Sequence, residues 1–87
     1  MVSKNITICN EQGMHMRPAS LLAQMAGKYD SVVKIMFSGK EIDCKSLMFL
    51  MAAGMKCGSE LELVCDGPDE EAALAEIAAF IEAGMGD

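Results

Sequence analysis

The sequence predicts an α+β domain in which one four-stranded antiparallel sheet carries three helices on a single face. Four short runs have the alternation or β-branched character of strands, three segments have helical spacing, and a hairpin signal joins two of the strands. In chain order the elements read β-α-β-β-α-β-α. Because an antiparallel sheet can leave one face in water, we expect all three helices on the other face.

The strands are predicted from alternating polarity and from β-branched residues, both typical of a half-buried sheet. The run SVVKIMF is rich in β-branched side chains, and Ser38-Gly39, which follows it, is a two-residue hairpin signal. We therefore expect a return strand directly afterwards. The predicted strands span residues 2–8, 31–37, 40–43 and 60–65.

The helices are predicted from apolar spacing and from signals at their ends. Pro18 lies in the first turn of the first helix, where its missing N–H costs nothing, and Gly27 supplies a stop signal. Ser46 can cap a short second helix, which Gly54 ends. The predicted helices span residues 16–27, 47–53 and 69–83.

Composition and charge exclude several classes of function. The 87 residues suffice for one domain, residues 1–87, and 52% hydrophobic content argues against disorder. With a net charge of −6 and scattered cations, we expect neither a nucleic-acid nor an anionic-membrane surface. The apolar stretch 47–55 is too short to span a bilayer, and the N-terminus lacks a signal-peptide apolar region. A cytoplasmic protein is therefore expected.

The four cysteines, at positions 9, 44, 57 and 65, form no C-x-x-C pair. This spacing favours neither a zinc ribbon nor a thioredoxin-type redox site, so we expect no metal. Cys9 and Cys65 end strand-like runs, where a small buried side chain fits. We therefore expect reduced, mostly buried thiols. A thiol- or metal-binding module is kept as an alternative, which stoichiometric zinc on the purified protein would favour.

The only histidine lies directly before the first predicted helix. His15 is followed by Arg17 two residues on, and the helix N-terminus offers free N–H groups, from Met16 and Arg17 especially, together with a positive dipole end. A phosphate bound there would meet these amides and a guanidinium. The dipole also favours a neutral imidazole, which is the nucleophilic form. The alternative is an interaction domain whose His15 does no chemistry.

Three segments carry a resemblance to a known family. They are GMHMRPA over residues 13–19, KSLM over residues 45–48 (followed by Met51 and the glycines at 54 and 58), and GPDE over residues 67–70. With these segments the chain resembles, over essentially all of its length, the histidine-containing phosphocarrier (HPr) family of the bacterial phosphoenolpyruvate:sugar phosphotransferase system. The resemblance implies an open-faced β-sandwich.

The resemblance also implies a relay. Enzyme I, charged by phosphoenolpyruvate, transfers a phosphoryl group to a ring nitrogen of His15, Nδ1 in the family, and the carrier passes it to sugar-specific IIA components. Arg17 orients the phosphoryl group, and Met16, Arg17 and Pro18 form the implied phosphate-binding segment. The chain is then a monomeric transfer intermediate, not an enzyme, and needs no cofactor of its own.

A second implied site is Ser46. In many Gram-positive members this serine is phosphorylated by HPr kinase/phosphorylase, and the product is a corepressor for catabolite control protein A. The family docks enzyme I and regulators on the surface next to it, which implies Leu47, Met48 and Met51 as partner-binding residues. Lys28 and Lys45 are candidate cations for an acidic partner surface.

Several positions depart from the family pattern. Met16 stands where a small residue or Thr is more frequent, and Phe49 where the family usually has Gly. The phenyl ring is expected either to crowd access to Ser46 or to enlarge the apolar surface. Gln24 and Gly27 replace polar or basic residues common on the partner-facing side. A regulatory or nitrogen-branch paralogue using the same histidine is the alternative within the family.

Overall fold

The computed structural model describes residues 1–86 and has the predicted element order. All strand pairs are antiparallel, in the spatial order β1-β4-β2-β3. The α+β prediction, with one sheet and three helices on one face, is confirmed. The strands are β1 (Val2–Thr7), β2 (Val32–Phe37), β3 (Lys40–Asp43) and β4 (Glu60–Asp66); the helices are α1 (Met16–Gly27), α2 (Leu47–Ala52) and α3 (Glu70–Glu82).

The hairpin between β2 and β3 is confirmed at its turn. Ser38 and Gly39 have φ angles of 54° and 78°, and the flanking Phe37 and Lys40 are paired in register. Positive φ at both central residues matches the right-handed twist of the strands they join. The turn therefore fixes the register of β3.

One face of the sheet forms the core and the other faces water. In β1, Ile6 is buried between exposed Asn5 and Thr7, and in β2 Val33 is fully buried while Val32 is exposed. Helices α1 and α3 add Leu22 and other apolar side chains to the same cluster. This is the period-2 pattern expected of a sheet that is covered on one face only.

Helix α3 begins at Glu70, one residue after the predicted start, and Asp69 before it bonds the chain that leads into β2. Its carboxylate accepts hydrogen bonds from the amides of Asp30 and Ser31, each at 2.9 Å, and from the Ser31 hydroxyl. The Ser31 hydroxyl bond, followed by the Asp30 amide bond, lowers the pKa of Asp69. Asp69 is thus the N-cap residue of α3 but makes no side-chain bond to that helix.

The expectation of mostly buried thiols is only half right. Cys44 and Cys65 are buried, which raises the pKa of each thiol, whereas Cys9 and Cys57 are exposed. The prediction for Cys9 was wrong because β1 ends at Thr7, so Cys9 belongs to a surface loop. Within residues 1–86, no group of three His, Cys, Asp or Glu side chains could hold a metal ion, and none of the helices is long and apolar enough to cross a membrane.

Candidate functional site

The loop between β1 and α1 is built on a tight turn. The Gly13 amide donates to the Asn10 carbonyl at 3.1 Å, and the Asn10 side-chain amide donates back to the Gly13 carbonyl at 2.7 Å. The His15 amide donates to the same Gly13 carbonyl at 3.0 Å. Asn10, which is buried, therefore closes the turn that presents His15.

Through Gly13, this loop packs against the segment that follows α2. Its φ of +65° lies in the left-handed region, and a Cβ there would lie 2.5 Å from the Met55 carbonyl oxygen and 2.7 Å from the Lys56 Cα. The next amide, of Met14, donates to the same Met55 carbonyl at 2.9 Å. Only glycine fits a backbone approach this close. The segment after α2 therefore supports the histidine loop.

His15 is the N-cap residue of α1. Its carbonyl accepts the first intrahelical bond, from the Ala19 amide at 3.0 Å, while its side chain makes no capping bond. The N–H groups of Met16 and Arg17 come before that of Ala19, so no helix carbonyl is available to them, and Pro18 has no N–H. The start of α1 thus presents two N–H donors and the positive end of the helix dipole beside the imidazole.

The structure brings His15 and Arg17 together in one surface cavity of about 560 Å³. The opposite wall is the end of α3, where the thiol of Cys9 donates to the Glu82 carbonyl at 3.4 Å. Imidazole, guanidinium and helix amides can converge on an anion in such a cavity. The lining residues are Cys9, Asn10, Glu11, Gln12, His15, Arg17, Ala83 and Gly84.

The other predicted phosphate-site residues, Met16 and Pro18, do not line this cavity. The Met16 side chain is 65% exposed and points away from the core, and Pro18 is buried, so it shapes the first turn and offers no donor. Sequence reasoning missed Cys9 and the end of α3. The Asn10-to-Gly13 turn is predicted by its Asn and Gly signals in the sequence, but no local signal joins Cys9 to α3.

Helix α2 carries the second predicted site on a neighbouring surface. Ser46 caps it as expected, because its hydroxyl accepts a hydrogen bond from the Phe49 amide at 3.3 Å. Leu50 is the one residue of this helix that is buried, so the other side chains stay outside. Ser46 does not line the His15 cavity. The exposed side chains, here called the α2 patch, are Leu47, Met48, Phe49 and Met51.

The candidate cations near these sites have intramolecular partners. Lys28 forms an ion pair with Glu76 at 3.0 Å, and the Lys45 ammonium donates to the Tyr29 carbonyl at 2.8 Å. Both lysines are exposed, so each keeps part of its ammonium surface in water. Neither lies in the His15 cavity, where Arg17 is the cation.

Comparison with known proteins decides the family. Residues 2–83 match the family model described as the PTS HPr component phosphorylation site. The chain is 46% identical over 77 residues to phosphocarrier protein HPr of Treponema pallidum, covering 88% of each sequence. It is 37% identical over its full length to phosphocarrier protein HPr of Cupriavidus necator, of which it covers 98%. The chain belongs to the HPr family.

A solved structure of the HPr family has the same fold. The crystal structure of HPr-C-His from Thermoanaerobacter tengcongensis superposes with a TM-score of 0.95 at 34% sequence identity, covering 100% of this chain and 98% of that one. This HPr-family chain is therefore assigned to the phosphocarrier proteins of the phosphotransferase system. Met16 on α1 and Phe49 on α2 are both exposed, at 65% and 60%.

Proposed function

We propose that His15 accepts a phosphoryl group from enzyme I and passes it to sugar-specific IIA components. The observation that carries the proposal is the shared cavity of His15 and Arg17 at the N-terminus of α1, in a chain of the HPr family. A nitrogen nucleophile, a guanidinium and unbonded helix amides are the parts that reversible phosphoryl transfer needs.

Each part of the site has one role in the transfer. The imidazole attacks phosphorus through Nδ1, so the bond to nitrogen forms as the bond to the donor breaks, and the reverse occurs on the next protein. Arg17 and the amides of Met16 and Arg17 bind the phosphoryl oxygens and offset their charge. Pro18 fixes the backbone of this first turn. The carrier is regenerated in each cycle and is not itself a catalyst.

The α2 patch is the proposed docking surface for enzyme I. Leu47, Met48 and Met51 are exposed on a helix that packs against α1, the helix that presents His15. Unbranched methionine side chains adapt to several partners, which suits a carrier that contacts proteins in sequence. A monomeric carrier is part of the proposal. A cytoplasmic location is part of the same proposal.

The direct test is incubation of the protein with phosphoenolpyruvate and an enzyme I from a related bacterium. We expect the intact mass to increase by one phosphoryl group that is lost in acid, because phosphohistidine is acid-labile. The His15→Ala variant should gain nothing, while Ser46→Ala should gain the group as the wild type does. Absence of any mass increase with wild-type protein would refute the carrier assignment.

We also propose that Ser46 is a regulatory phosphorylation site for an HPr kinase/phosphorylase, with catabolite control protein A as the partner of the modified form. Its hydroxyl lies at the N-terminus of α2, where a phosphate is electrostatically favoured, so the fold tolerates the modification. The new charge lies beside the α2 patch. It therefore changes which proteins dock there.

The Ser46 site predicts an ATP-dependent modification that differs chemically from the one on His15. With HPr kinase/phosphorylase and ATP, we expect an acid-stable phosphate that disappears in Ser46→Ala and persists in His15→Ala. Phe49→Gly is the informative second variant, because glycine is the usual family residue at this position. A kinase that modifies only the Phe49→Gly variant would show that the phenyl ring blocks the switch in this chain.

A further inference from the structure

We propose that Cys9 and Cys57 form a reversible disulfide beside the His15 cavity, and that this disulfide slows phosphoryl transfer to His15. The pair is defined by the structure alone. The effect on transfer rests on the proposed function of His15.

A β-bulge brings the two cysteines together. Just beyond the ends of β1 and β4, Ile8 bonds two successive residues of the segment before β4: the Gly58 amide donates to the Ile8 carbonyl at 2.8 Å, and the Ile8 amide donates to the Ser59 carbonyl at 2.9 Å. Gly58 has a φ of +89°, the left-handed conformation required at the first position of this type of bulge. Cys9 follows Ile8 in the chain, and Cys57 precedes Gly58 in a turn that the Ser59 amide closes by donating to the Lys56 carbonyl at 2.9 Å.

The backbone at this point suits a disulfide. The 2.8 Å bond joins the peptide group that leads into Cys9 to the peptide group that leaves Cys57, and the Cys57 Sγ lies 3.9 Å from the Cys9 carbonyl oxygen. Neither cysteine belongs to a strand, but the two flank one hydrogen bond between facing backbone segments. Residues so placed in an antiparallel ladder have Cα atoms about 4.5–5.5 Å apart, within the range of about 4.4–6.8 Å that a disulfide spans. The proposed disulfide requires rotation of these side chains, including that of Cys9 away from the Glu82 carbonyl.

Accessibility separates this pair from the other two cysteines. Cys9 and Cys57 are exposed, whereas Cys44 and Cys65 are buried, and burial raises the pKa of the Cys44 and Cys65 thiols. Since the thiolate is the reacting form and needs access to the oxidant, the exposed pair reacts first. The buried cysteines therefore provide controls within the same chain.

The disulfide would change one wall of the His15 cavity. In the thiol form, the Cys9 S–H donates to the Glu82 carbonyl at the C-terminal end of α3, where helix carbonyls carry partial negative charge. Disulfide formation removes that donor. The cavity, which Cys9 lines together with Ala83 and Gly84, then presents a more negative wall to an incoming phosphoryl group. Transfer to His15 is slowed for this reason.

The oxidant is a low-molecular-weight disulfide. A thiolate of the pair attacks one of its sulfur atoms and releases one thiol, and the second cysteine then attacks the mixed disulfide and releases the other. The protein loses two electrons and two protons, and the small disulfide becomes two thiols. A monothiol or dithiol reductant reverses both steps.

The first experiment tests the disulfide itself. The full chain is equilibrated with oxidised glutathione, freed of the reagent, alkylated under denaturing conditions and mapped by mass spectrometry. We expect two of the four thiols to be lost, a Cys9–Cys57 crosslinked peptide, and a Tm increase of at least about 5 °C because a long loop is closed. Cys44→Ala should oxidise as the wild type does, and Cys57→Ser should not. Four retained thiols, or glutathione on both cysteines without a crosslink, would overturn the proposal.

The second experiment tests control of transfer, with the oxidant removed before enzyme I is added. We expect oxidised protein to accept the phosphoryl group about tenfold more slowly, with full recovery after reduction, and Cys57→Ser to be insensitive to the same treatment. Equal rates for the oxidised and reduced forms would overturn the regulatory part. If reduced protein accepts no phosphoryl group, the proposed function of His15 fails, while the thiol count still decides the disulfide.

Discussion

Gly13→Ala is expected to destabilise the protein by roughly 2–5 kcal/mol, the sum of a left-handed backbone cost and an overpacking cost. The new Cβ would lie 2.5 Å from the Met55 carbonyl oxygen and 2.7 Å from the Lys56 Cα, and both are backbone atoms. The loop can relieve this overlap only by moving away from its support, which displaces His15. Without denaturant, where the variant is still folded, we therefore also expect slower phosphoryl transfer to His15.

The matched control for this prediction is Gly39→Ala. Gly39 has a similar φ of +78°, but a Cβ there would have no neighbour within 4 Å. It should therefore show only the backbone cost of about 1–2 kcal/mol, with unchanged transfer. Urea unfolding of both variants measures the difference. Equal losses of unfolding free energy would mean that the close approach of Gly13 to residues 55–56 contributes nothing.

Arg17→Ala is expected to slow phosphoryl acceptance on the order of 100-fold, because it removes the cation from the cavity that holds the transferring group. Arg17→Lys should recover part of the rate, since an ammonium keeps the charge but loses the planar, two-point contact with phosphate oxygens. Arg17 is exposed, so the free energy of unfolding should change by no more than about 0.5 kcal/mol.

Lys40→Ala is the charge-matched control for Arg17. Lys40 is exposed in the first position of β3 and does not line the His15 cavity. The Lys40→Ala substitution therefore removes the same formal charge as Arg17→Ala without removing a group that lines the cavity. Single-turnover transfer from phosphorylated enzyme I measures the three variants on one scale. A loss in Lys40→Ala as large as in Arg17→Ala would assign the effect to net charge and long-range attraction.

The sequence was sufficient wherever a local signal decided the structure. Helix α1 has the predicted bounds because Pro18 and Gly27 mark its ends, and the Ser38-Gly39 turn fixed the hairpin. It was insufficient where distant segments meet. Cys9 and Glu82 are 73 positions apart, so their contact follows from the sheet and α3 and not from any motif. Asp69 and Ser31 are 38 positions apart, so the hydrogen bond between them likewise follows from the fold and not from any motif.

The first turn of α1 separates two properties that are often coupled in a binding site. In the proposed role, position 16 serves the phosphoryl group through its main-chain amide, while its side chain projects outward with 65% exposure. A substitution there leaves the amide in place and alters only the face seen by partners. In the proposed role, the residue type at position 16 therefore sets the surface offered to a partner protein independently of the amide that binds the phosphoryl group.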